Sequence, residues 1–67
     1  MAAATEKTFT AAEKLGCAER ELKLRYRVYA RMVDNGKMTQ KHADREIALM
    51  EEIAAGLREA AEKEQLI

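Results

Sequence analysis

Few residues in this chain are of a type that carries chemistry. There is one histidine, His42, one cysteine, Cys17, and no serine. A structural zinc centre takes four Cys or His ligands, so these two cannot form one. Nucleophilic catalysis requires a hydroxyl or thiol activated by a neighbouring base, and no such pairing is visible. The chain also lacks a glycine-rich phosphate loop. His42 falls in the first turn of an expected helix, where the helix dipole disfavours an imidazolium, and is expected to be a surface histidine. Cys17, next to Gly16, is expected to be a small apolar filler rather than a reactive thiol. The acidic residues Glu51, Glu52, Glu62 and Glu64 are expected to face solvent on a helix, without an enclosing pocket. These features point away from an enzyme, and no metal or cofactor is implied.

The basic residues are distributed less evenly than the overall balance suggests. The 67 residues carry 12 basic and 12 acidic side chains. Between Arg20 and Arg45 there are eight basic and three acidic residues, a net +5, and the remainder carries four and nine, a net −5. Balanced overall charge argues against a general polyanion binder. A local stripe can still bind phosphates or an acidic surface. Arg20, Lys23, Arg27 and Arg31 share one helical face, and Lys37 and Lys41 flank the nearby turn. Arg27, Arg31, Lys37 and Lys41 are the candidate partner-binding cations. Aromatic residues are limited to Phe9, Tyr26 and Tyr29, which gives little support for base stacking on single strands.

These residues must be held by helices. The chain has no proline, three glycines and many good helix formers. Its length allows one domain at most. Asn35-Gly36 is the strong breaker, since both residues tolerate the left-handed conformation that ends a helix. Thr39 is a suitable N-cap for a second helix, with Met38 placed to pack on Ala43 as a hydrophobic staple. Thr10-Ala11-Ala12-Glu13 has the form of a capping box for the first helix. The expected organisation is a flexible segment 1–9 and one helical domain, 10–67. Within it, a helix spans about 10–34, a turn 35–38, and a second helix about 39–64 that frays toward Ile67. Gly16 is expected either to kink the first helix or to delay its order until Cys17. Gly56 is expected to be tolerated within the second helix.

The apolar spacing fits two facing helices. Ala11, Leu15, Ala18, Leu22, Tyr26, Tyr29 and Val33 form one seam, and Ala43, Ile47, Met50, Ala54, Leu57 and Ala61 form the other, both in steps of three and four. The expected fold is therefore an all-α antiparallel helical hairpin. One register matches the seams: Val33 with Ala43, Tyr29 with Ile47, Tyr26 with Met50, Leu22 with Ala54 and Leu15 with Ala61. Large faces small at Leu22/Ala54, Ala18/Leu57 and Leu15/Ala61, as close packing favours.

A second apolar set lies off these seams. Cys17, Leu24, Val28 and Met32 lie on a flank of the first helix, and Leu49, Ile53 and Ala60 on the second. A hairpin cannot cover all of them by itself. Leu24, Val28 and Met32 are therefore further candidate contact residues. A homodimer, pairing into a four-helix bundle, or a different protein partner would cover the flank. Arg25 falls beside the seam, where an ion pair with Glu46 or Glu51 is expected; an arginine anchor at an interface is the other reading.

The stretch Leu24 to Ile53 resembles a family of small phage- and prophage-encoded proteins. The resemblance rests on Arg27-Val28-Tyr29, on Gly36-Lys37-Met38-Thr39, and on Ala43-Asp44-Arg45-Glu46-Ile47 with Met50. It covers about the central half of the chain and implies a viral origin without a mechanism. Small phage proteins of this kind often bind and inhibit host machinery, CRISPR effector complexes included. The resulting expectation is a small interaction protein in the cytoplasm of a host cell, with anti-defence inhibition as one version. A nucleic-acid-binding hairpin dimer, contacting nucleic acid through its basic turn end, is the alternative. The lone Cys17 fits a reducing compartment, and no run is long and apolar enough for a membrane span.

Overall fold

The computed structural model describes residues 9–66. Two helices, α1 (Ala11–Asp34) and α2 (Gln40–Gln65), run antiparallel and pack along their length. No strand occurs among the described residues. The expected all-α hairpin is the observed architecture. The flexible segment expected over 1–9 lies outside the described residues except for Phe9.

Each helix begins where a side chain satisfies its free amides. At α1 the Thr10 hydroxyl accepts from the Glu13 backbone N–H at 3.1 Å, and the Glu13 carboxylate accepts from the Thr10 N–H at 2.9 Å. This is the full capping box, which meets two otherwise unsatisfied donors. At α2 the Thr39 hydroxyl accepts from the His42 N–H at 3.1 Å.

The turn between them is a Schellman motif. Lys37 N–H donates to the Met32 carbonyl at 2.8 Å, and Gly36 N–H donates to the Val33 carbonyl at 3.0 Å. Gly36 sits at φ +74°, a conformation that an L side chain adopts only at a cost. This requirement explains the Asn35-Gly36 signal. α1 continues through Gly16 without a break, because the capping box starts it at Ala11 and nothing crowds the glycine. Gly56 is exposed within α2, and α2 ends at Gln65 with Leu66 as its C-cap.

The core is built from alanine. Ala11, Ala18, Ala43, Ala54 and Ala61 are the buried hydrophobic residues, with Ala43 and Ala54 each only 2% exposed. All five are seam positions. Leu15, Leu22, Tyr29, Val33, Ile47, Met50 and Leu57 are half-buried around them. The small residues sit on the line between the helix axes, and the larger ones reach out to either side. Tyr26 departs from its expected seam role: it is 46% exposed, with its ring at the edge and its hydroxyl donating to the Glu51 carboxylate at 2.6 Å.

Cross-helix bonds confirm the register. Glu19 pairs with Arg58 at 3.1 Å, and the Ala11 N–H meets the Glu64 carboxylate at 3.1 Å. With Tyr26–Glu51, each lies one residue from the alignment expected of the seams.

Candidate functional site

The basic residues form an exposed row. Arg20, Lys23, Arg27 and Arg31 are spaced three and four residues apart on α1, and all four are exposed. Lys37 in the turn and Lys41 in the first turn of α2 extend the row around the end of the hairpin, and both are exposed. None of these six side chains makes an ion pair or hydrogen bond with a described residue. Other cations in the chain do: Arg25, Arg45 and Arg58 each hold an acidic partner. The fold uses those three arginines and leaves the row unpaired.

Arg25 occupies the expected position beside the seam. Its Nη1 donates to the Glu46 backbone carbonyl at 2.8 Å, its Nε donates to the Glu21 carboxylate at 3.1 Å, and the Glu46 carboxylate lies 3.8 Å away. Its guanidinium also lies 5.7 Å from the Tyr29 ring centroid, within cation–π range. Of the two acids expected to pair with it, Glu46 does so, while Glu51 is engaged by Tyr26.

The Arg25–Glu46 contact fixes which flanks share a face. Residues three and seven positions on from each partner lie on the same side of their helix. From Arg25 these are Val28 and Met32; from Glu46 they are Leu49 and Ile53. Leu24, four residues before Val28, borders the same face. One broad face of the hairpin therefore carries apolar side chains from both helices, around the Arg25 cluster. Leu24, Leu49 and Ile53 are exposed and Val28 and Met32 are half-buried. The opposite face holds the Tyr26–Glu51 and Glu19–Arg58 pairs with exposed alanines such as Ala55.

Several expectations need correction. Cys17 is exposed rather than a filler, because it lies off the seam and beside an open groove lined by Phe9, Ala12 and Arg20. Glu51, Glu52, Glu62 and Glu64 are exposed, as expected, but Glu64 has a further role, since both its oxygens lie 3.1 Å from the Ala11 N–H. Glu51 accepts from Tyr26 and holds that phenol above its ordinary pKa, chiefly through the hydrogen bond, with desolvation and the carboxylate charge adding to it. The seam register carried a signal for both acids: it sets Glu64 opposite the start of α1 and Glu51 beside Tyr26. His42 is exposed, as expected, and its backbone rather than its ring takes part in the helix cap.

Among the described residues, no group of three or more His, Cys, Asp or Glu side chains is placed to hold a metal ion, and no helix is long and apolar enough to cross a membrane. Comparison of the chain with family models, curated proteins and solved structures gives no match.

Proposed function

We propose that this hairpin is a non-enzymatic interaction protein of phage origin, which docks through its basic turn end on an acidic surface of a host or phage macromolecular machine. Inhibition of a host defence complex, of the CRISPR effector type, is the version that best fits a small phage protein. One observation carries the reading: Arg27, Arg31, Lys37 and Lys41 are exposed and make no ion pair with a described residue, whereas Arg25, Arg45 and Arg58 each hold an acidic partner. Like charges gathered on Arg27, Arg31, Lys37 and Lys41 repel one another, and none of the four makes an ion pair with a described residue. An acidic partner would supply those pairs.

A protein surface suits this end better than nucleic acid. The open end of the hairpin is acidic and repels phosphates. Only two tyrosines lie in this part of the chain, and Tyr29 is half-buried beside Arg25, which leaves little aromatic surface for stacking on bases. Nucleic-acid binding by a hairpin dimer remains the competing reading, and the same experiment separates the two.

The test is capture from host lysate by the immobilised protein, with and without nuclease and across a salt series. A discrete protein should be retained after nuclease treatment. The variant R27Q/R31Q/K37Q/K41Q should lose it while melting within a few degrees of the parent. Capture abolished by nuclease, falling steeply with salt, would support the nucleic-acid reading instead. Capture unchanged in the variant would remove the basic end as the site.

A further inference from the structure

We infer that the groove between the helices beside the turn is a binding site for a guanidinium group, and that its occupant is an arginine side chain borne on a partner chain. The groove takes a cation where the exposed row on α1 would take an anion, so it stands apart from the docking proposed above.

The groove opens on the face that carries the Tyr26–Glu51 pair. Tyr26, Tyr29, Ala30 and Asp34 of α1 line it with Gln40 and Ala43 of α2, around a volume of about 290 Å³. That is small for a ligand pocket, and it suits a single side chain better than a larger molecule.

Its lining is aromatic and acidic. The phenol rings of Tyr26 and Tyr29 contribute to the wall, and an aromatic ring attracts a cation to its face. Asp34 is the only charged residue of the lining. Two more carboxylates are bonded to wall residues: Asp44 accepts from the Gln40 Nε2 at 2.9 Å, and Glu51 accepts from the Tyr26 hydroxyl at 2.6 Å. None of Asp34, Asp44 and Glu51 makes an ion pair with a described residue. Asp34 is also the last residue of α1, at the negative end of the helix dipole, where an acid is disfavoured. It makes no hydrogen bond with a described residue in return. Its place is explained by a cation that it would hold rather than by the helix that it ends.

The chemistry of the walls selects the cation. Among the described residues no group of acidic side chains is placed to hold a metal ion, which favours an organic cation. An ammonium is a compact point charge, whereas a guanidinium is planar, stacks on aromatic rings and carries its donors in a fixed fork. The groove offers acceptors on both helices for such a fork. Asp34 supplies one from α1, and Gln40 supplies its carbonyl oxygen from α2, since its Nε2 is committed to Asp44. The fold already makes the same pairing once, with the Arg25 guanidinium 5.7 Å from the Tyr29 centroid. The groove is open, so it encloses the head of the cation and leaves the stem outside, as an arginine on another chain requires. A nucleotide is excluded by its phosphate, which Asp34 repels.

Titration of isotope-labelled protein with N-acetylarginine amide, followed by two-dimensional NMR, tests the site. Saturable shifts should appear at Tyr26, Tyr29, Ala30, Asp34 and Gln40, with half-saturation on the order of 1 mM. N-acetylcitrulline amide, which has nearly the same shape and no charge, should produce none. Asp34→Asn should weaken binding about tenfold, the loss of one charge-assisted contact. The same substitution should leave the melting temperature unchanged or raise it, because it removes an acid from the negative end of α1. A residue with a merely structural role would not move binding and stability in this way. Glu59→Gln, exposed on α2 far from the turn, should change neither. Binding that survives Asp34→Asn would overturn the inference. So would citrulline binding as well as arginine, or shifts spread over the exposed acids of both helices without saturation. Free arginine binding more tightly than the blocked form would overturn the assignment to a partner chain.

Discussion

The Glu64 carboxylate sits on the backbone N–H of Ala11, 3.1 Å from each oxygen, and so ties the last turn of α2 to the first turn of α1. An acid from one helix thus completes the cap of the other, beside the positive end of the α1 dipole. Glu64→Ala should cost roughly 0.5–1 kcal/mol. Amide hydrogen exchange should accelerate in the first turn of α1 and remain unchanged near the turn at Gly36. Uniform acceleration along both helices would contradict a local role.

The two glycines Gly36 and Gly56 should respond in opposite directions. Gly36 is at φ +74°, so Gly36→Val should destabilise by about 1–2 kcal/mol. Gly56 is exposed inside α2, with nothing within 4 Å of an added Cβ. Gly56→Ala should therefore stabilise by about 0.5–1 kcal/mol through helix propensity. Urea unfolding of both variants checks the pair.

Tyr26 gives an alkaline signature. Its phenol is raised above 10.0 by the hydrogen bond to Glu51, which stabilises the neutral form in the folded chain. A raised folded-state value means the contribution is fully present below pH 10 and is lost as pH climbs through the raised value. The stability difference between the parent and Tyr26→Phe should be constant at neutral pH and shrink above pH 10. A difference that stays flat to high alkaline pH would show that the bond contributes nothing.

Arg25 is expected to depend on the shape of its guanidinium as well as its charge. Nε and Nη1 point to different acceptors, Glu21 and the Glu46 carbonyl, an arrangement that a lysine ammonium does not reproduce. Arg25→Lys should cost about 1 kcal/mol, close to Arg25→Ala, in thermal unfolding. Recovery of full stability by lysine would reduce the interaction to a simple ion pair.

Much of this architecture was legible from local rules. The capping box at Thr10, the cap at Thr39 and the glycine at the turn are short-range devices, each identifiable from neighbouring residues. The seam positions followed from helical period, and the buried alanines all fall on them. What periodicity did not show was how deeply each seam residue is buried. Tyr26 lies on the seam by number, yet its length carries the hydroxyl out to Glu51. Cys17 lies off the seam on the helical wheel, and its exposure follows that position rather than its apolar residue type. Arg27 and Arg31 lie on the outer face of α1, away from α2, and Arg27 has no acid three or four residues along the helix. Arg31 has Asp34 at that spacing and makes no ion pair with it, a choice of side-chain conformation that spacing does not reveal.

The short turn also has a kinetic consequence. Nearly all the backbone hydrogen bonds lie within α1, α2 and the Schellman turn, so few contacts require distant parts of the chain to meet at random. Such low contact order belongs to chains that fold in microseconds to milliseconds. Closing the turn at Gly36 brings Val33 to Ala43, and each later pairing then needs only the next helical turn to dock. This topology predicts a zipper that closes from the turn outward and reopens from the other end, with the bond between Glu64 and Ala11 expected to be the last to close and the first to break.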